Sequence, residues 1–302
     1  MAGINFNLAN DDFEKAKRRG QMQALLSRLT WKNTNLLSLY DVTGLIKPKG
    51  ENYRGIQCIP VKQIIGSEGR YHDFSGAFYP KKEMLRSRWR SIDNLNRDDV
   101  ILPPISVYKV GDAYFVRDGN HRVSVAKALG IDFIDAEVVE LDSDIKLHPG
   151  MTYKDLQKAV CDYERSRFIT QYQADKALPM GEITSNSPGF YAELANHIDV
   201  HKYFMNQHVQ GEIPWADAAK DWYEQVYKPI VDETKREHVL SSFPGKTYGD
   251  LYMWVVRHWD EMKQKEGQGV TIKDATEDYK SQQRTTWLQR LRQRFHHQEG
   301  KA

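Results

Sequence analysis

The spacing of apolar positions changes character along the chain. Near the start, Phe13, Ala16, Leu25, Leu26 and Leu29 recur at helical intervals, and Asn10 or Asp11 can cap a helix beginning near Asp12. Leu36, Leu37 and Leu39 mark a second short element, and Lys47-Pro48-Lys49-Gly50 breaks the chain after it. The pattern then becomes strand-like. Ser106–Val110 and Ala113–Arg117 read as strands joined by a turn at Gly111-Asp112, and Ile134–Leu141 as another. Among them, Asn120–Leu129 carries Val123, Ala126 and Leu129 on one helical face and stops at Gly130. Met84–Leu95 is predicted as a helix anchored by Trp89 and Ile92.

Beyond His148-Pro149-Gly150 the text turns helical. Tyr153–Gln173, Phe190–His197, His201–His208, Trp215–Val239 and Thr247–Gln264 are predicted helices, with Pro179–Gly189 as a linker or exposed loop. The predicted class is α+β. A helical extension over 1–50 precedes a small mixed-sheet domain over 51–148, followed by a mainly α-helical domain over 149–302.

Composition narrows the function classes. A chain of 302 residues with 40% hydrophobic content can build about two cores. A net charge of +2 leaves no global nucleic-acid footprint. Lys15, Lys17, Arg18 and Arg19 cluster near the N-terminus and read as a solvated face. Only Cys58 and Cys161 are present and no Cys-x-x-Cys pair exists, which argues against a disulfide framework or a structural zinc site. No signal-peptide core and no run of transmembrane length is visible, so a cytoplasmic protein is expected, with an oligomer left open.

The chemistry concentrates in Asp118-Gly119-Asn120-His121-Arg122, where a strand passes through a glycine into a helix. A helix N-terminus offers unpaired N–H groups and a positive dipole end to an anion. Gly119 lets backbone approach a ligand, and Arg122 can grip a phosphate with two parallel bonds. The alternatives are structural: Arg122 can pair with Asp118, Arg70 with Asp73, and Asp118 can cap the helix rather than hold a magnesium ion through water. His121 can donate to a phosphate, act as an acid or base, or tie the turn to a neighbouring carbonyl.

This turn, with two boxes upstream, resembles the ParB/sulfiredoxin superfamily. Gly119-Asn120-His121-Arg122 and the helix ending Leu129-Gly130 resemble its Gly-x-x-Arg turn and Leu-Gly stop. Ile59-Pro60 through Arg70 resembles its first box, and Leu102-Pro103-Pro104-Ile105 the strand that follows, so the likeness covers about residues 55–142. Asn120 stands where sulfiredoxin has its reactive cysteine, which argues against sulfinic acid repair. Asn120-His121-Arg122 keeps only the last arginine of the Glu-Arg-Arg usual in partition proteins. Archaeal free serine kinases have a more similar turn.

The resemblance implies binding of a nucleotide (CTP, ATP or ADP) with magnesium. Arg70, Gly119, Asn120, His121 and Arg122 would bind it and Asp118 would touch the metal. Glu68 is the nearest match to the kinases' base, and His121 is the second catalytic candidate. A phosphotransferase or nucleotide hydrolase would use these groups. A DNA-associated transcriptional regulator of ParB type, or a non-catalytic nucleotide-responsive interaction protein, is the alternative. No helix-turn-helix pattern follows the domain to support the regulator. The segments around Asp199-Val200-His201, Trp222–Tyr227 and Phe243–Tyr252 resemble an uncharacterised helical domain that accompanies ParB-like domains in some bacteria.

Three other signals read as structural. Pro244-Gly245-Lys246-Thr247 lacks the first glycine of a P-loop, with Leu240 in its place; His197 and His201 have zinc spacing but no His-Glu-x-x-His; and the aromatic density from Trp215 to Trp259 suits a core. The tail Arg284–His297 forms a basic amphipathic pattern with Trp287, Leu288, Leu291 and Phe295. It fits a nucleic acid, an anionic membrane, a protein partner or its own domain.

Overall fold

The alternating segments assemble into one six-stranded mixed sheet in a computed structural model that describes residues 2–30, 36–207 and 209–266. The chain divides into two units, Met1–Val160 and Cys161–Ala302. The first contains α1 (Ala2–Thr30), β1 (Leu37–Ser38), α2 (Leu39–Ile46), β2 (Gly50–Pro60), β3 (Ile64–Ser67) and α3 (Arg86–Arg97). It continues with β4 (Ile105–Val110), β5 (Ala113–Asp118), α4 (Asn120–Leu129) and β6 (Phe133–Asp142). The strand order is β1-β3-β5-β4-β6-β2. β1, β3 and β5 run parallel, β4 pairs antiparallel with β5 and parallel with β6, and β2 closes the far edge antiparallel to β6.

The centre of this sheet is covered on both faces, and β5 is buried at four successive positions, Ala113–Val116. Val107, Val110, Phe115, Val116 and Val138 are all buried, as are Val123 and Val125 of α4 and Trp89 of α3. The loop after β3 supplies Phe74 and Phe78, both fully buried. One buried hydroxyl joins three of these elements. Ser124 accepts from the Trp89 indole at 2.9 Å and donates to the Phe78 carbonyl at 2.6 Å.

The structure departs from the sequence expectation at the N-terminus. α1 begins at Ala2, so Asn10 and Asp11 lie inside the helix and cap nothing. Asn10 accepts from Arg86 at 2.7 Å, Asp12 pairs with Arg97 and Glu14 with Arg86, and Phe13 packs edge-on against Trp89 at 5.7 Å. α1 is therefore fastened to α3 by both core and charge. Within the basic cluster, Lys15 is largely exposed and lies 3.4 Å from Asp12, Lys17 pairs with Glu83, and the Arg19 guanidinium lies 6.0 Å over the Tyr79 ring. β2 escaped the sequence reading because an edge strand with most positions exposed shows no alternation.

The second unit is helical. α5 (Tyr153–Tyr172) begins in the first unit and ends in the second; α6 (Phe190–Asn206), α7 (Trp215–Trp222), α8 (Lys228–Arg236) and α9 (Tyr248–Glu266) follow. α6 is one helix where two were expected, since Ile198-Asp199-Val200 contains no breaker. The segment expected as one helix from Trp215 runs unbroken through α7, a π-helical stretch at Tyr223–Tyr227 and α8. The aromatic density is core: Trp222, Tyr227 and Tyr252 are buried with ring centroids 4.9–5.7 Å apart. Thr247 and Asp250 form a reciprocal cap at the start of α9, which explains the residues that mimic a P-loop ending. His197 contacts the Tyr252 hydroxyl at 2.9 Å and His201 meets Asp221 at 2.7 Å, so neither is arranged for zinc. No described helix is long and apolar enough to cross a membrane. The tail 284–297 lies outside the described residues.

The Ser124 junction gives a direct stability test. Ser124→Ala leaves the buried Trp89 N–H and Phe78 carbonyl without their partner, and should lower unfolding free energy by about 2–4 kcal/mol. Urea unfolding followed by Trp fluorescence measures this; a loss below about 0.5 kcal/mol would show the junction to be dispensable.

Candidate functional site

Gly119 sets the site. It links β5 to α4 with φ of 101°, a conformation that strongly favours glycine, and a Cβ there would lie 2.4 Å from Ile105 Cγ2. No side chain caps the helix that follows, so the first amides of α4 keep their donor capacity.

The loop after β3 brings Arg70 to this helix. Buried Ser67 donates to the Val116 carbonyl at 3.2 Å and accepts from the Arg70 amide at 3.3 Å, fixing where the loop leaves the sheet. The Arg70 guanidinium then makes two kinds of contact. Its Nε and Nη2 donate to Asp73 at 2.9 and 2.8 Å, and its Nη1 donates to His121 Nε2 at 3.1 Å. Its side chain remains 41% exposed. Lys82 also donates to Asp73, at 2.7 Å. Burial alone would raise the Asp73 carboxyl; bonds from Lys82 and Arg70 hold it below its ordinary value instead.

Because arginine only donates, His121 Nε2 must accept and the ring proton sits on Nδ1. Burial, then the charges of Arg70 and Arg88, push the His121 pKa down to about 4, against a smaller opposing effect of Asp73. The ring packs edge-on to Phe74 at 5.5 Å. His121 Nδ1 and Asn120 Oδ1 are both buried without a hydrogen-bond partner, an unusual concentration of unmet polar atoms in one turn. His121 is thus a neutral prop for Arg70 at physiological pH.

The other sequence candidates fall elsewhere. Arg122 was expected beside Arg70 in one open pocket. Its side chain is instead 13% exposed and bonded to the Pro103 and Pro104 carbonyls and to Asp118. Three acceptors from the chain already occupy the guanidinium, and it staples the turn to the segment before β4. Asp118 is exposed and belongs to this pair. A metal ion there would have one carboxylate already shared with a cation, and no group of three metal-ligating side chains exists among the described residues. Such a turn fits only an ion carried largely by phosphate oxygens and water. Glu68 is exposed, and its amide, rather than its carboxylate, is fixed, to the Val116 carbonyl at 2.9 Å. Lys82 and Arg88 were not singled out in the sequence; nothing in their spacing separates them from other surface cations.

The depressed His121 pKa has a thermodynamic consequence. The folded state binds the imidazole proton less well than the unfolded chain, whose histidine titrates near 6.5. The stabilisation is therefore complete above about pH 6.5 and is lost as pH falls toward 4, to a total of about 3 kcal/mol. Histidine-resolved NMR should show a ring titrating near pH 4 that disappears in His121→Gln. In that variant the acid limb of the stability curve between pH 6.5 and 4 should flatten; an unchanged limb would contradict the assignment.

No protein-family model and no curated protein matches the chain. Among solved structures it is similar to the sulfiredoxin of Arabidopsis thaliana, at 18% identity and TM-score 0.22, over 28% of this chain and 84% of that one. It is also similar to a Pnob8-like ParB-N domain, at 11% identity and TM-score 0.22, over 70% of this chain and 83% of that one. A second structure of a pNOB8-like ParB N-domain is similar at 10% identity and TM-score 0.22, over 74% of this chain and 82% of that one.

Proposed function

We propose that the first unit binds the phosphates of a nucleotide at the N-terminus of α4, with Arg70 as the principal side-chain ligand. The observation that carries this reading is the Arg70 guanidinium, oriented by Asp73 and His121 yet 41% exposed beside an uncapped helix. Its orientation is fixed before a ligand arrives, so little ordering cost falls on binding. Lys82 and Arg88 add positive charge around Asp73. The amides of α4 and the close backbone at Gly119 supply the rest of an anion cradle. Magnesium would accompany the polyphosphate, with Asp118 the carboxylate within the turn for its water shell.

Binding without chemistry is favoured over phosphoryl transfer. The groups in contact at Arg70 are an ion-paired carboxylate and a neutral imidazole whose free lone pair is occupied. Neither is poised to take a proton from an attacking hydroxyl. Glu68 is the remaining base candidate, and a phosphoryl-transfer activity would rest on it.

Titration with CTP, ATP, ADP and GTP, with and without magnesium, separates these readings when paired with a phosphate-release assay. At least one nucleotide should bind, and Arg70→Gln should weaken it by about 1–3 kcal/mol, the scale of a charged hydrogen bond. Arg122→Gln should act mainly on stability. Equal nucleotide affinity in the Arg70→Gln and parent proteins would exclude this site. Phosphate release abolished by Glu68→Gln would establish the enzyme reading.

A further inference from the structure

The loop that turns Arg70 and Asp73 toward His121 also lends Tyr71 and His72 to the wall of a separate cavity in the first unit. This space has a volume of about 710 Å³, within the range of small-molecule sites, and none of Arg70, His121 and Arg122 lines it. β1, β3 and α4 form its walls, with contributions from α1, α2 and the start of α5. Its surface is mixed, combining Leu36, Ile64 and Ile65 with hydroxyls and charges.

Lys127 is the unusual member. Its ammonium donates to the Ile64 carbonyl at 2.7 Å and lies 4.9 Å over the Phe78 ring. It forms no ion pair among the described residues. A desolvated cation without a counter-charge is costly, and a residue needed only for packing would serve better as an apolar isostere. Lys62 stands on the same cavity, exposed and with no ion pair among the described residues. The one carboxylate on the wall, Asp41, is exposed at the start of α2. The cavity thus offers one buried ammonium without a counter-charge, Lys127, and the exposed ammonium of Lys62, beside aliphatic and aromatic carbon.

We propose that this cavity binds a small organic anion, whose phosphate or carboxylate is held by Lys127 and Lys62 and whose carbon framework lies against Tyr71 and the β3 wall. An inorganic ion would leave most of the volume and the apolar wall unused. The proposal is independent of the nucleotide reading, since the two places share no side chain. It also accounts for the state of Lys127. Burial lowers its pKa to about 8, and an incoming anion supplies the missing counter-charge. The titratable groups facing it across the cavity are Asp41, Lys62, Tyr71, His72 and Tyr153.

Pyridoxal 5′-phosphate is a suitable probe, because it joins an anion to an aldehyde that reports on a nearby amine. The Lys127 amine attacks the aldehyde carbon, water leaves, and borohydride delivers hydride to the imine carbon to give a stable secondary amine. Peptide mapping of the full chain after brief labelling should find Lys127 modified ahead of the exposed lysines. Plain pyridoxal should label it about tenfold more slowly, and inorganic phosphate should protect it. Lys62→Ala should remove the advantage of the phosphorylated aldehyde while leaving plain pyridoxal labelling unchanged. That comparison keeps Lys127 itself intact, so it does not depend on Lys127→Met folding. Labelling spread evenly over surface lysines, or equal rates for the two aldehydes at Lys127, would overturn the proposal.

Discussion

The conformation of Gly119 is the constraint on which the first unit depends. With no room for a Cβ against Ile105, the chain must pass from β5 to α4 through one left-handed residue. That fixes the rotation of α4 about its axis. His121, Ser124 and Lys127 then fall three residues apart on neighbouring parts of the helix surface. All three are committed to the segment from β3 through the following loop. His121 meets Arg70 and Phe74, Ser124 bonds the Phe78 carbonyl, and Lys127 reaches the Ile64 carbonyl. A polar stripe on a mostly buried helix therefore docks a long loop, while Val123 and Ala126 face the core.

Charge balance decides which groups in this arrangement can meet a ligand. The chain is nearly neutral, and many of its cations are already matched: Arg86 with Glu14 and Glu83, Arg97 with Asp12 and Asp93, Arg54 and Lys109 with Glu140. Asp73 serves two cations at once, Arg70 and Lys82, which leaves local positive charge in excess. Burial first, and this local excess of positive charge second, keep the His121 imidazole neutral, so it acts as an acceptor. The small global charge says little about these local fields and has no bearing on an anion site.

The β4–β5 hairpin, α4 and its glycine stop, α3 and β6 were legible because each is local. Alternation, a turn pair or an apolar helical face marks it within a dozen residues. β2 was not legible, since most of its positions are exposed and the apolar Tyr53 and Ile56 are among them, which erases any alternation. The same division runs through the site. Arg70 and the Gly119 turn could be picked out from their own boxes, but the contact between Arg70 and His121 spans 51 positions and has no local signal. Arg122 was given a ligand's role because an arginine after a glycine turn suits phosphate. Its actual partners are main-chain carbonyls of Pro103 and Pro104, contributed by an irregular segment whose position only the fold determines. Lys127 reads in sequence as an ordinary helix cation near a C-terminus; only the packing of Phe78 and β3 around it sets it apart.

The loop between β3 and α3 also carries strain that tells how firmly it is held. Phe78 adopts a φ of 62°, unfavourable for a bulky residue, yet its side chain is fully buried. Several bonds over-determine this conformation: Phe78 N to the Ser75 carbonyl at 2.8 Å, Ser75 N to the Tyr79 carbonyl at 2.8 Å, and Ser124 to the Phe78 carbonyl. Phe74 and Pro80 pair across the base of the turn. A loop pinned in this way is a wall rather than a flexible lid. Arg70 and Asp73 stand on one part of it, and Tyr71 and His72 line the cavity from another. Both arrangements exist before any ligand arrives, because the strain at Phe78 is sustained by contacts within the protein itself.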